Sequence, residues 1–337
     1  MDHEFHYYIT YILAKRAGFS YADSYTIAYS SQYVDDNCLI FTINEGKSDE
    51  YKNHISQTMN ILKPKSKLMR IYPCFHFVPG EYESGSARRK DGKMHILNTT
   101  PNSKNANILM DNALSTGDLY RIGVNTHCYA DTWAHQNFVG YFDYFNGMGG
   151  LFEKITPDIG HADAQHLPDI PGLVWEDERL VSRNKEVNNT KRIIEAAENI
   201  FKKYKSYLNR NADNKEICEE WEKLKEDIEN AIGRNFYGKD KERKHRVTRY
   251  KELLKDFKEY DEDDWFEEAV NREVVGLPDN YHEGFLSALK IFSDKYHKKT
   301  GFENSHWFKF QEAVKGHQEL AEELYAGLFR QMEVEEY

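Results

Sequence analysis

The stretch Gly123–Gly140, GVNTHCYADTWAHQNFVG, decides how the rest of the chain is read. His127, Asp131 and His135 recur in it at every fourth position. On an α-helix each such step rotates by only about 40°, so the three side chains form one stripe on one face. Two imidazoles and a carboxylate on a rigid face offer neutral nitrogen and anionic oxygen to Zn²⁺ or a similar divalent ion. The plain alternative is a polar helix face whose histidines are satisfied by hydrogen bonds. Three potential ligands in register, with apolar Val124, Trp133 and Phe138 nearby, favour the metal site.

Upstream, residues 2–17 have helical periodicity, with Phe5, Ile9, Ile12 and Leu13 on one side and Gly18 as the stop signal. His3 and His6 sit a turn apart on this helix. Ser20 opens a second helix that ends near YVDDN, so Asp35 and Asp36 fall at or just past its C-terminus. A solvated helix end avoids paired acids, because the dipole is negative there. A cation beside them accounts for the pair, and an Asx-type turn is the competing reading.

Between residues 63 and 103 the helical pattern stops. MRIYPCFHFVPGEYESG alternates aromatics with Pro73, Pro79 and Gly80, which reads as an ordered loop or extended structure, a flap over a pocket. His76 lies between Phe75 and Phe77 and is expected to fold inward toward His127, with His95 left outside the site. After Gly140 the chain is again rich in glycine and proline, and it brings His161, Asp163, His166 and Asp169 within nine residues.

From about Glu176 onward the chain turns amphipathic and dense in Lys and Glu, as in NNTKRIIEAAENIFKKYKSYL and EICEEWEKLKEDIENAI. YHEGFLSALKIFSDKYH and WFKFQEAVKGHQELAEELYAGLF read as further long helices. Their histidines, His282, His297, His306 and His317, lack ligand spacing. The fold expected is therefore all-α, a multi-helix bundle. Residues 1–170 would form the metal-binding core with the loop 63–103. Residues 171–337 would close the same body, with a charged excursion at about 191–260.

Bulk properties set limits on function. The net charge of −11 argues against broad electrostatic attraction to nucleic acid or anionic membranes, though it leaves room for a local basic groove. Cys38, Cys74, Cys128 and Cys218 are far apart and form no CxxC pair, which suits reduced thiols rather than a disulfide framework. MDHEFHYYIT lacks a signal-peptide pattern, and no apolar run approaches the roughly 20 residues of a membrane span. These features read as cytoplasmic.

The order His6, Asp35 or Asp36, His76, His127, Asp131, His135, His161 resembles the zinc-dependent phospholipase C and single-strand-specific nuclease superfamily. The resemblance covers roughly residues 3–170 and rests chiefly on the HxxxD step followed by further histidines. It implies two or three Zn²⁺ ions in an all-helical protein. One ion would take Asp35 or Asp36, His76, His127 and Asp131. A second would take His135, His161 and either Asp163 or His166. His6 and Asp131 would serve a third, with His3 as a spare, where the family adds the amino terminus of a processed Trp. This chain departs by beginning MDHEF, and by following His161 with Asp163 and His166 instead of His-x-x-x-Glu.

The function so implied is hydrolysis of a phosphodiester or phosphomonoester by a metal-activated water, with Asp35, Asp36 and Asp131 as catalytic carboxylates. The substrate class is a phosphate ester: a small molecule, a lipid headgroup or single-stranded nucleic acid, the net acidity favouring the small molecule. Two alternatives stand beside it. One is a non-catalytic, metal-stabilised helical interaction protein. The other is a different helical metal phosphohydrolase, whose signature His-Asp dipeptide is missing from this sequence.

Overall fold

Capping side chains set where the principal helices begin. A computed structural model of the chain describes residues 1–58, 70–148, 159–211, 213–275 and 293–332. A π-helical turn, Glu4–Ile9, runs into α1, Thr10–Ala17, which Gly18 ends at φ 116°. Ser20 Oγ accepts from Asp23 N to start α2, Tyr21–Asp36. After the single turn α3, Ile71–Phe75, Ser103 caps α4, Lys104–Thr116. Gly117 and Asp118 then break the chain, and the Asp118 carboxylate caps α5, Leu119–Ala134. The later helices are α6 (Asn189–Leu208), α7 (Asn214–Ile232), α8 (Arg243–Leu254), α9 (Asp264–Ala269) and α10 (His306–Gln331).

The chain is helix-rich but not all-α, which corrects the expectation. Strands β1 (Thr42–Ile43), β2 (Tyr51–Lys52), β5 (Val270–Val275) and β6 (Ser293–Lys298) form a sheet in the order β2-β1-β6-β5. A hairpin of β3 (Val174–Glu176) and β4 (Glu186–Asn188) stands apart. Residues 293–298, read from sequence as the end of a long helix, pair with β5 instead; residues 281–292 of that stretch lie outside the described residues. Across the ladder Arg272 pairs with Asp294 at 2.6 Å, and His297 Nε2 lies 2.9 Å from a Glu273 carboxylate oxygen. Tyr296 also packs on Phe41 and Phe266.

The closest helix pair is the one that matters for the site. A Cβ at Gly123 would lie 2.4 Å from Ser30 Cβ and 2.6 Å from the Ile27 carbonyl, so only glycine lets α5 lie this tightly on α2. The region 70–103 is stitched to the end of α5 by Thr99 N to Phe138 O and Asn137 N to Thr99 O. Phe75, Phe77 and Val78 are buried, so this part of the expected flap is wall rather than lid; residues 63–69 lie outside the described residues. The charged helices α6 and α7 contribute Ile193, Ile200, Phe201, Trp221 and Leu224 to the same hydrophobic cluster as Phe5, Ile9, Val124 and Trp133. Arg246 of α8, fully buried, donates to both oxygens of Glu4 and to Asp240, which ties α8 to the π-helical turn.

Candidate metal centre

Four separate pieces of chain converge on the stripe of α5. The π-helical turn supplies His6, the last turn of α2 supplies Asp35, and His76 follows α3 as its cap. His127 and Asp131 lie on α5 itself. His135 is the residue after its last turn, not part of the helix, yet Nδ1 stays 3.4 Å from Asp131 Oδ2. The segment 159–173 adds His161 and Asp169.

Four of these histidines are oriented in the same way. His127 Nδ1 faces the Ser31 carbonyl at 2.8 Å, and His76 Nε2 faces that of Ser56 at 3.0 Å. His135 Nδ1 faces the His76 carbonyl and His161 Nδ1 that of Gln165, each at 2.7 Å. A carbonyl only accepts, so each of these nitrogens carries the proton and donates. The other nitrogen of each ring is then a bare lone pair turned toward the carboxylates. His127 Nε2 and His76 Nδ1 lie 3.1 Å apart in this way. Two lone pairs at that separation repel unless a cation lies between them. This is the orientation that outer-shell partners give to metal-ligating histidines.

Three groups result, each with its ligand atoms within 4.8 Å of one another: His6, His127 and Asp131; Asp35, His76 and His127; His135, His161 and Asp169. Asp131 joins them. Its Oδ1 lies 3.1 Å from His6 Nε2, and its Oδ2 lies 3.2, 3.4 and 3.4 Å from His127, His76 and His135. The single free nitrogen of His127 can serve one ion, whereas the two oxygens of Asp131 can touch two. Nitrogen and oxygen donors without thiolate fit zinc or a neighbouring divalent metal. His6 makes the fit sharper: it is 0% exposed, and neither ring nitrogen makes a hydrogen bond, nor does Asp131 Oδ2. A buried imidazole with two unsatisfied nitrogens is costly in a polypeptide alone.

The electrostatics prepare part of the ligand set at neutral pH: burial raises Asp35, and Asp131 and Asp35 push His127 up against the effect of burial, so an ion at His127 would have to displace a proton. Burial alone would raise the Asp131 carboxyl, but His135, the amino terminus, His127 and His6 outweigh it and hold it well below the usual carboxylate range. Asp169 is depressed in the same way by His161 and the amino terminus. Burial pushes His135 down to about 4 and His6 well below its ordinary value, so both rings are neutral. The Met1 ammonium contacts Asp131 and lies 3.4 Å from Asp169, and these carboxylates push it up to about 10 against the effect of burial.

Several residues named from the sequence lie elsewhere. Asp36 points away from the groups, accepting from Gln32 Nε2 at 3.0 Å and from the Tyr260 hydroxyl. Asp163 accepts from Met148 N, and His166 is exposed on the pocket rim. Asp169, not Asp163 or His166, completes the group with His135 and His161. His3 is packed among Tyr7, Tyr8 and Tyr260. His95 accepts from Leu97 N and stays outside all three groups. Asp169 carried one sequence signal, its place between Pro168 and Pro171, which fix a turn without revealing its direction.

A pocket of about 720 Å³ opens onto Asp35, His76, His135, His161 and Asp169. Tyr72, Phe77, Ile159 and Ile170 form its apolar wall, and Arg243 stands on its rim. The His6 group, by contrast, is sealed beneath it.

Fold and site together define a helix-rich protein with a buried, multi-histidine candidate metal centre under an open pocket. The chain belongs to a family of unknown function, DUF6765, whose profile matches residues 1–324. No curated protein and no solved structure matches it.

Proposed function

We propose that the protein is a metal-dependent phosphoesterase holding two or three divalent ions, zinc by preference, in the groups around Asp131. The single observation that carries this reading is the set of four histidines, each donating one ring nitrogen to a backbone carbonyl and turning the other toward Asp131 or Asp169. The order of these residues along the chain, similar to that of the zinc phospholipase C and nuclease superfamily, supports it further. His76, His127 and Asp35 would hold one ion, His135, His161 and Asp169 another, with His6 and Asp131 on the sealed side. Ions so held would activate water and neutralise phosphate oxygens.

The chain's own residues divide the remaining work. Asp131 stands between the groups, with Oδ1 toward His6 and Oδ2 toward His127, His76 and His135. Asp35, the most exposed carboxylate of the three groups with 29% of its side chain accessible, faces the pocket and is placed to orient a water or accept its proton. Tyr72, Phe77 and Ile159 offer apolar surface to the organic part of an ester. The burial of His6 and Asp131, at 0–1% exposure, favours a structural role for an ion held on that sealed side, one that knits the π-helical turn to α5 without His127, whose one free nitrogen serves the pocket-side ion.

Asp131→Asn tests the reading. Asn keeps the volume but offers one neutral oxygen, so metal content should fall and turnover of a generic phosphodiester should disappear while the helical circular dichroism persists. Full metal content with undiminished turnover would remove Asp131 from the site. Metal loss with global unfolding would favour ions that serve structure only.

A further inference from the structure

Arg243 is the single lysine or arginine among the described residues that line the pocket. Four carboxylates share the pocket with it, Asp2, Asp35, Asp169 and Asp240, and each is engaged elsewhere. Asp240 accepts from Arg246 Nη1 at 3.0 Å and from Nη2 at 2.6 Å. Asp2 accepts from Glu4 N at 3.1 Å. Asp35 and Asp169 face the histidines of the candidate centre. The field of Arg243 reaches Asp2, His3 and Glu4, but among the described residues no carboxylate stands within ion-pairing distance of it. An exposed arginine is ordinarily a solvated side chain. This one differs in being the lone cation of an acidic pocket. Cations on the neighbouring helices, such as Lys202, Lys203 and Lys205, each face an acid at 2.5–2.6 Å.

The backbone beneath Arg243 is held in place. It is the first residue of α8, and Arg246, one turn further on, is fully buried and donates to both oxygens of Glu4. Glu4 opens the π-helical turn, and Met1 and Asp2 just before it belong to the pocket wall. The side chain of Arg243 itself is exposed, so its guanidinium has an anchored root and free donors.

We propose that Arg243 selects the substrate, a small phosphate ester whose organic part ends in a carboxylate, and that it binds this carboxylate while the phosphate lies against the Asp35 and His161 groups. The place of the phosphate rests on the phosphoesterase reading. Guanidinium donors match a planar carboxylate in two parallel hydrogen bonds. One arginine also offsets one negative charge. A second phosphate dianion there would leave charge uncompensated beside Asp2 and Asp240, whereas a carboxylate is matched. Tyr72, Phe77 and Ile159 supply apolar surface for the carbon chain between the two ends, and a cavity of about 720 Å³ suits a small ligand.

The test is isothermal titration of the zinc-loaded full chain with ω-phosphonocarboxylates of increasing methylene length, whose carbon–phosphorus bond is not an ester. Each is compared with the alkylphosphonate in which methyl replaces the carboxylate, and with the bisphosphonate of the same length. At one favoured length the carboxylate should bind about tenfold tighter than its methyl counterpart. Arg243→Met should bring that ratio close to one with unchanged circular dichroism. Arg243→Lys should keep part of it, since lysine retains the charge but not the fork. A wild-type ratio near one at every length, or a ratio that Arg243→Met leaves intact, would overturn the proposal and leave the phosphoesterase reading standing. A bisphosphonate that binds more tightly than the carboxylate and depends on Arg243 would overturn the carboxylate assignment. Failure of every phosphonate to bind, with no turnover of a simple phosphodiester by the same preparation, would remove the phosphoesterase reading and this proposal with it.

Discussion

Asp163 and Asp169 stand six residues apart in one irregular segment, and only the second turns its carboxylate to His135 and His161. Asp169→Asn should therefore lower metal content by about one ion per chain, while Asp163→Asn leaves it intact; equal loss in both, measured by elemental analysis, would contradict the assignment. Spacing could not separate the two, because turns at Gly160, Pro168 and Pro171 have no period to follow. It could name His127 and Asp131, where the helix repeat dictates direction. Asp35 and Asp36 show the limit of that rule: adjacent on α2 they diverge by about 100°, and only knowledge of what packs there picks the inward one. A residue outside the metal groups contributes to acid stability alongside His135 and His6. His317 is fully buried, donates to the Cys74 carbonyl, and is pushed by burial down to about 4. Unfolded, it titrates near 6.5, so the unfolded chain binds the extra proton between pH 6.5 and 4 and stability falls as pH drops through that window. The loss should reach about 3 kcal/mol, and urea unfolding of His317→Gln across the window should show a correspondingly shallower decline.

At the scale of elements, the site depends on how close α2 and α5 lie. Ser31 of α2 orients His127 and Asp35 of α2 faces it, so a shift of either helix disturbs both. Gly123→Ala should force the helices apart, costing about 1–3 kcal/mol in urea unfolding and weakening metal retention during dialysis. An unchanged midpoint with full metal retention would show that the contact is not what sets the geometry. The cap at Ser20 was legible because it acts through its own next turn, whereas the caps at Ser103 and Asp118 and the break between α4 and α5 were not read. The β-sheet was not, since β5 and β6 are fixed by cross-strand charges and by Tyr296 packing on Phe41, about 250 residues away in sequence. The inward course of His76 was expected from the order of the His and Asp groups along the chain, but the helical turn that delivers it was hidden by Pro73, here at the third position of α3.

Across the whole molecule, charge is sorted rather than spread. The net −11 describes the bulk surface, while the buried carboxylates lie against histidines, Arg246 or Arg179. The helices of the C-terminal half likewise looked like an excursion from their Lys and Glu content, yet their apolar faces complete the core around α1 and α5. No helix of the described residues is long and apolar enough to cross a membrane. The central proposal is that the groups around Asp131 hold divalent metal and use it on phosphate esters. Elemental analysis of the purified full chain, paired with phosphodiester turnover before chelation, after it, and after zinc is restored, tests that claim most directly. Two or three zinc ions per chain, with turnover lost on chelation and regained on reloading, is the result expected; a protein that holds no metal and cannot be loaded with zinc would contradict it.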